Sequence, residues 1–281
     1  MNYTYTLSNG VVIPQIAFGT WRLADTPETV STIKNAISCG YRHIDTAAKY
    51  ENEYSVGKAV RECGIPRDQL FITSKLRNTQ RGYNSTIKDF ERALKVMELD
   101  YLDLYMIHWP AGAYIYDNWE EINLDTWRAM ETLYKDGKIR SLGISNFWPH
   151  HMKSLMDQCE IQPMVCQLKF HPGFVQPETF RYIQFCNMIA EAYSPLGAGK
   201  LLSSETLQNL AARYNKSTAQ ICIKWCLQHG ALPLPKSGNP ERMKQNLDVY
   251  DFEISKEDML LLDNIPDFSE EKRDPDMLNL D

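Results

Sequence analysis

Residues 41–75 open with Tyr41-Arg42-His43-Ile44-Asp45, pass through an amphipathic stretch at 53–63 closed by Gly64, and end on Leu70-Phe71-Ile72-Thr73-Ser74-Lys75. A short apolar run, a helix-period segment and a second apolar run make a strand–helix–strand unit, whose two strands lie parallel. Each run ends on a charged residue, Asp45 or Lys75. The next run, Tyr101-Leu102-Asp103-Leu104-Tyr105-Met106-Ile107-His108, ends on an imidazole, and Tyr50 follows the first run closely. As neighbouring strands, the three runs would bring a carboxylate, an ammonium, an imidazole and a phenol to one end of a sheet. Taken singly, a strand-end Asp is usually a turn residue, a Lys a solvated one and a His a satisfied core residue. Adjacency changes this reading, because a buried ammonium needs a partner and Asp45 is the one at hand.

The alternation extends both ways. Residues 3–7 and 11–13 flank Ser8-Asn9-Gly10, which reads as a tight hairpin. A strand at 16–19 precedes a helix over Pro27–Cys39, with Thr26 as N-cap, Pro27 in the first turn and Gly40 as the stop. Further strands are expected at 101–108, 139–145, 164–167, 188–193 and 231–235. Helices are expected near 84–98, 125–135, 149–158, 177–186, 205–214, 218–229, 240–247 and 256–264. Eight strand–helix units predict an α/β fold, an all-parallel sheet closed into a (β/α)8 TIM barrel, with the N-terminal hairpin closing the bottom. No linker, low-complexity segment or charge block divides the chain, so 1–281 reads as one domain.

Composition narrows the function. With 43% apolar and 23% charged residues the chain is ordinary for a globular protein. Its net charge of −6 offers no basic surface for nucleic acid or an anionic membrane. No apolar run approaches the ~18 residues of a membrane span, and the N-terminus lacks the basic and apolar regions of a signal peptide. Seven cysteines, an odd number without a C-x-x-C pair, read as reduced thiols in a cytoplasmic protein.

In such a barrel the reactive groups gather where the strands end. Those ends read Gly19-Thr20-Trp21, Asp45, Lys75, His108, Ser145-Asn146, Gln167, Tyr193-Ser194 and Lys236-Ser237. A phenol, with a pKa of about 10, is a poor acid near neutrality, and a nearby ammonium lowers that value. Asp45 would hold Lys75 charged, His108 would hydrogen-bond a substrate carbonyl oxygen, and Tyr50 would deliver a proton to it. The six histidines show no metal-binding spacing, so no metal is expected and a bound hydride donor is the natural complement. G-x-G-x-x-G is absent, so no Rossmann module is indicated. Barrels often bind phosphate near the loops after strands seven and eight. Here these are Ser194-Pro195-Leu196-Gly197-Ala198-Gly199-Lys200 and Lys236-Ser237-Gly238-Asn239, followed by Arg242. Lys236 and Arg242 suit a phosphate monoester, although a glycine turn with surface charges has the same composition.

Several linked motifs between Gly10 and Tyr250 resemble the aldo-keto reductase family. They are Gly40-Tyr41-Arg42-His43-Ile44-Asp45-Thr46-Ala47 with Tyr50, Tyr101 to Pro110, Gly143-Ile144-Ser145-Asn146-Phe147, Ala192-Tyr193-Ser194-Pro195-Leu196-Gly197 and Pro235-Lys236-Ser237. The resemblance implies a catalytic tetrad of Asp45, Tyr50, Lys75 and His108, with Tyr50 as general acid. It implies NADPH across the barrel mouth, with NADH a weaker alternative. Ser145, Asn146 and Gln167 would bind the carboxamide and Tyr193 would stack on the nicotinamide. Lys236, Ser237 and Arg242 would hold the 2′-phosphate, and Gln245 and Asn246 match adenine contacts. Gly19, Thr20, Trp21, Ser194 and Leu196 would complete the cofactor site. Trp21 and Trp109, with Tyr50 and His108, would line the substrate pocket.

The sequence departs from the family pattern at Arg77, where Trp is common, and at Cys166, Lys169 and Gln245. Arg77 could recruit an anionic or polyhydroxylated substrate or point outward. The short tail after Ile265 implies an open pocket. The expected function is NADPH-dependent reduction of a small aldehyde, dicarbonyl or keto-sugar, as in microbial diketogluconate and glyoxal reductases, by a monomer. Two alternatives are a nicotinamide-binding regulatory subunit and a barrel isomerase or lyase using Lys75 as a Schiff base.

Overall fold

The computed structural model describes residues 3–267 and 273–278. The remaining residues of the expected 1–281 unit lie outside that description. Strands β1 (Thr4–Thr6) and β2 (Val12–Pro14) pair antiparallel, with Thr4 opposite Pro14. Gly10, at φ 84°, supplies the left-handed backbone of their turn.

Eight parallel strands follow: β3 (Phe18–Gly19), β4 (His43–Asp45), β5 (Phe71–Lys75), β6 (Leu104–Ile107), β7 (Leu142–Ser145), β8 (Val165–Lys169), β9 (Ile189–Tyr193) and β10 (Ala231–Pro233). Each pairs with its successor. Ala17 N–H donates to Pro233 O and Gly19 N–H to Pro235 O, both at 3.1 Å, so the last strand meets the first and the barrel closes. A side chain on Gly19 would press on Leu234 O at 3.2 Å, so this seam favours glycine.

Around the barrel run α1 (Pro27–Cys39), α2 (Glu53–Glu62), α3 (Tyr83–Met97), α4 (Trp119–Lys135), α5 (Pro149–Met156), α6 (Pro177–Phe185), α7 (Glu205–Tyr214), α8 (Thr218–Gln228), α9 (Pro240–Leu247) and α10 (Lys256–Asp263). None of the described helices is long and apolar enough to cross a membrane. Gly40 ends α1 as expected, at φ 116°, its N–H taken by Ala36 and Ile37 carbonyls. An apolar layer including Ile33, Phe90, Trp127, Ile144 and Trp225 fills the space between strands and helices. A separate cluster plugs the bottom: Leu7 and Ile13 of the hairpin pack with Phe71, Leu104, Met106, Val165 and Leu232.

Besides shortened ends, such as β7 starting at Leu142 where 139 is expected, the structure departs from the expected elements in three places. Helix α4 begins at Trp119, ahead of the expected 125; its first turn carries Glu120 and Glu121, which suit the positive helix end but hide the apolar period. The run at 101–108 forms a strand only over Leu104–Ile107, because Asp103 turns aside to take Arg67 (2.8 Å), Arg140 (2.7 Å) and the Ile72 N–H (2.9 Å). The glycine-rich loop after β9 winds into short 3-10 turns within Gly197–Ser203, kinked at Ala198 and Gly199, whose φ angles are positive.

Candidate active site

Register places the expected residues together. Asp45 stands beside Gly19 on one side and Thr73 on the other, and Lys75 pairs with Met106 two residues before His108. The Lys75 side chain is fully buried. Its ammonium donates to both Asp45 carboxylate oxygens, each at 2.8 Å, and to Thr46 O at 2.9 Å. All three donor hydrogens are thereby used, which is what an ammonium in a dry interior requires.

Tyr50 ends a 3-10 turn, Ala48–Tyr50, which Glu51 closes in the left-handed conformation. Lys75 Nζ lies 5.0 Å from the Tyr50 ring centre. The His108 ring meets the Tyr50 ring edge-on at 5.7 Å. The four side chains of the expected tetrad therefore form one cluster at the C-terminal mouth.

Burial would push Lys75 to lose its proton, but Asp45 and Tyr50 outweigh it and hold the ammonium's pKa above its usual value. His108 is forced well below its usual range by burial and then by Lys75, so its ring is neutral. Tyr50 corrects one expectation. The ammonium does favour the phenolate, but burial is the larger effect and Asp45 adds to it, so the phenol's pKa is raised. Tyr50 therefore stays protonated at neutral pH, the form a general acid needs.

Ser145, Asn146 and Tyr193 form a second linked group. Asn146, left-handed at φ 62°, donates to His108 O at 2.9 Å and to Ser145 Oγ at 3.0 Å. Tyr193 O–H donates to Asn146 Oδ1 at 2.9 Å. Ser194, also left-handed, and the half-buried Leu196 follow Tyr193 at the rim. Thr20 is buried and spends both its N–H and its hydroxyl on Asp45 O. Trp21 is exposed at the mouth and Trp109 is buried.

The expected phosphate residues stand around the start of α9. Asn239 caps that helix, accepting from the N–H groups of Glu241 and Arg242. Ser237 Oγ accepts from Asn239 N–H at 3.1 Å. Lys236, Arg242 and Gln245 are exposed, whereas Asn246 is buried and hydrogen-bonds Tyr41. Burial and then the charge of Arg22 lower the Lys236 pKa. An anion between Arg22 and Lys236 would relieve that repulsion, so the donor set fits a phosphate-bearing cofactor. Arg22 was not foreseen, although it adjoins the Gly19-Thr20-Trp21 strand end.

Arg77 turns toward the Tyr50 turn: its guanidinium donates to Ala48 O at 3.3 Å and lies 3.8 Å from Glu51. Cys166 is buried, and burial pushes its thiol far up. The described part of the tail, residues 273–278, is tied to the barrel. Tyr114 N–H donates to Asp276 O at 3.1 Å, and Asp276 Oδ1 lies 3.0 Å from His150 Nε2 and 2.9 Å from His151 Nε2. These three side chains are grouped closely enough to suggest a metal site. However, His151 Nδ1 accepts the Trp148 N–H, which leaves the ring's proton on Nε2 facing Asp276. His150 and the Tyr114 N–H, which hydrogen-bond Asp276, hold residues 273–278 in place, while His151 Nε2 makes a close contact with Asp276 but no hydrogen bond among the described residues.

Glu191 is the main residue the sequence reading passed over. It lies on β9 two residues before Tyr193, so strand alternation puts it on the same face, and a lone carboxylate in an apolar strand was the available signal.

A closed parallel barrel with a buried Lys–Asp pair, a tyrosine and a histidine at its strand ends places the chain among the (β/α)8 barrels whose polar groups gather at the C-terminal mouth. The aldo/keto reductase family model matches residues 15–267, and the chain belongs to that family. It is 46% identical over 260 residues to a glyoxal reductase of Bacillus subtilis, covering 92% of this chain and 91% of that one. Among solved structures, an aldo-keto reductase from a Medee basin deep-sea metagenome library superposes with a TM-score of 0.91 at 38% identity, covering 99% of this chain and 100% of that one. A Bombyx mori aldo-keto reductase in complex with NADP superposes with a TM-score of 0.87 at 32% identity, covering 95% and 94%.

Proposed function

We propose that the protein is an NADPH-dependent carbonyl reductase that converts small aldehydes, dicarbonyls or keto-sugars to alcohols, with Tyr50 as general acid. The observation that carries the reading is the fully buried Lys75 ammonium, held by Asp45 and set 5.0 Å from the Tyr50 ring. Such a pair is costly to bury and contributes little to stability compared with apolar packing, so its place beside a tyrosine points to function.

Ser145, Asn146 and Gln167 would hold the carboxamide, and Tyr193 would lie against the nicotinamide. Lys236, Ser237, Arg242 and Arg22 would hold the phosphates. When bound, the reduced nicotinamide supplies a hydride to the carbonyl carbon. Tyr50 gives its phenolic proton to the carbonyl oxygen, so hydride and proton together complete the alcohol. Lys75 stabilises the phenolate that remains, and Asp45 keeps Lys75 in place. The neutral His108 orients the carbonyl oxygen by a hydrogen bond. Trp21 and Trp109 would flank the substrate, and Arg77 would steady the Tyr50 turn while presenting positive charge near the pocket. The kinship with a glyoxal reductase favours dicarbonyls within the substrate range.

A panel assay tests this reading: NADPH oxidation with glyoxal, methylglyoxal, keto-sugars and aromatic aldehydes. Turnover with at least one dicarbonyl is expected. NADPH binding without turnover across the panel would overturn it.

A further inference from the structure

Below the tetrad the barrel interior holds a second carboxyl group, Glu191, with no exposed surface. Gln167 joins it to the catalytic pair, its side-chain N–H2 donating to Asp45 Oδ2 at 3.0 Å and to Glu191 Oε2 at 2.7 Å. Among the described residues Glu191 Oε1 has no hydrogen-bond partner, and it lies 3.9 Å from His43 Nε2, which is itself engaged with Thr73 Oγ1 at 2.8 Å. The groups facing Glu191 are thus His43 and Asp45 from β4, Thr73 and Lys75 from β5, and Gln167 from β8, while the nearby Cys166 thiol lies on the other face of β8 in the outer apolar layer. The adjoining β10 contributes only Ala231, Leu232 and Pro233.

The charge balance in this space is uneven. Lys75 is the one cation in the group, and Asp45 already takes two of its three hydrogens. His43 cannot supply a second cation, because burial and Lys75 hold it at a pKa of about 3. An ionised Glu191 would leave a net negative charge in a dry interior, which is costly. Burial, and then the charge of Asp45, accordingly raise its pKa to about 8. If Glu191 ionised, its charge would oppose the Lys75 field that stabilises a phenolate on Tyr50.

We propose that Glu191 is a positioning residue for carbonyl reduction: held un-ionised beneath the tetrad, it fixes Gln167 against Asp45 and adds no second negative charge to oppose the field of Lys75 at Tyr50. The inference rests on Tyr50 being the acid. Gln167 thereby acquires a structural duty toward Asp45 beside the carboxamide contact proposed for it. Loss of the Glu191 proton would weaken Tyr50 as a proton donor with no change in the substrate pocket.

The test is the pH profile of kcat for methylglyoxal reduction at saturating NADPH, in wild type, Glu191→Gln and Tyr50→Phe. Wild-type kcat should fall through a step near pH 8. One unit above that step only about a tenth of the molecules keep the proton, so Glu191→Gln, permanently neutral, should exceed wild type there severalfold, with roughly tenfold as the upper limit. Below about pH 7 the two should agree, with KM unchanged. A Glu191→Gln profile that superposes on wild type, or one lowered equally at every pH, overturns the proposal. Tyr50→Phe separates the two levels. An active Tyr50→Phe means the acid itself is misassigned, whereas an inactive Tyr50→Phe with a superposing Glu191→Gln profile overturns only the role of Glu191. A second readout needs no variant that folds: the carboxylic-acid C=O stretch in wild-type infrared difference spectra should be present at about pH 6 and gone by about pH 9.5. Absence of such a band at the lower pH also overturns the proposal.

Discussion

Replacing Lys75 by methionine keeps most of the side-chain volume and removes the charge. The structure gives the consequences separately for stability and for rate. The ammonium makes three hydrogen bonds of 2.8–2.9 Å inside a fully buried site. Its loss strands the Asp45 carboxylate, apart from the Gln167 amide. Removing one partner of a buried pair costs about 3–5 kcal/mol. That corresponds to a drop on the order of 10 °C in Tm for a chain of this size. Turnover should fall further than stability explains. Tyr50 loses the cation that opposes its burial, so its phenolate becomes harder to form, and a loss of about 10²–10⁴ in kcat is expected. The double variant Asp45→Asn/Lys75→Met separates the effects. With no unpaired carboxylate it should regain most of the lost Tm, while kcat stays near the single-variant value. Thermal unfolding by circular dichroism and NADPH oxidation followed by absorbance measure both. Single-variant turnover within about threefold of wild type, or recovery of kcat together with Tm in the double variant, would refute the reasoning.

Asp103 anchors the opposite end of the barrel through Arg67, Arg140 and the Ile72 N–H. Asp103→Ala should lower stability by about 3–5 kcal/mol in urea unfolding while leaving the NADPH affinity of the folded protein unchanged; a loss under 1 kcal/mol (roughly the worth of an exposed pair) would count against it. Arg242→Ala should weaken NADPH much more than NADH in fluorescence titration, and equal losses would put the 2′-phosphate elsewhere. Stability should also follow pH in a signed way. His43 at about 3 and His151 at about 4 are depressed below the usual 6.5, as are His108 and His171. Each takes up its proton more readily when unfolded, so its contribution is complete above pH 6.5 and lost as pH falls from there toward the folded value. Glu191, raised from 4.5 to about 8, acts oppositely, losing its contribution as pH rises through that interval. Urea midpoints should drop steeply from pH 6.5 toward 4 and gently from 6.5 to 8, and a midpoint rising toward acid would contradict this.

The fold was legible because short apolar runs alternate with helix-period segments, and helix stops such as Gly40 sit where the left-handed backbone needs them. The mouth was legible because Asp45, Lys75 and His108 each close a run, so strand order alone brings them together. Three things were hidden. The start of α4 carries acidic residues that suit the helix dipole and erase the apolar period there. The net shift of Tyr50 depends on how burial compares with the Lys75 field, which needs three-dimensional packing. The docking of the tail on His150 and His151 joins residues far apart in sequence through one carboxylate oxygen, and no local pattern signals it. Glu191 was visible as a charge in a buried strand, but its link to Asp45 through Gln167 required the register of β8 on β9.

Proton donation by Tyr50 is the step on which the proposed NADPH-dependent reduction depends. The most direct measurement is the single-turnover rate of methylglyoxal reduction by Tyr50→Phe at saturating NADPH, with cofactor affinity titrated on the same sample. A loss of at least about 10² in rate is expected, with NADPH affinity near that of wild type. A wild-type rate in Tyr50→Phe would contradict it.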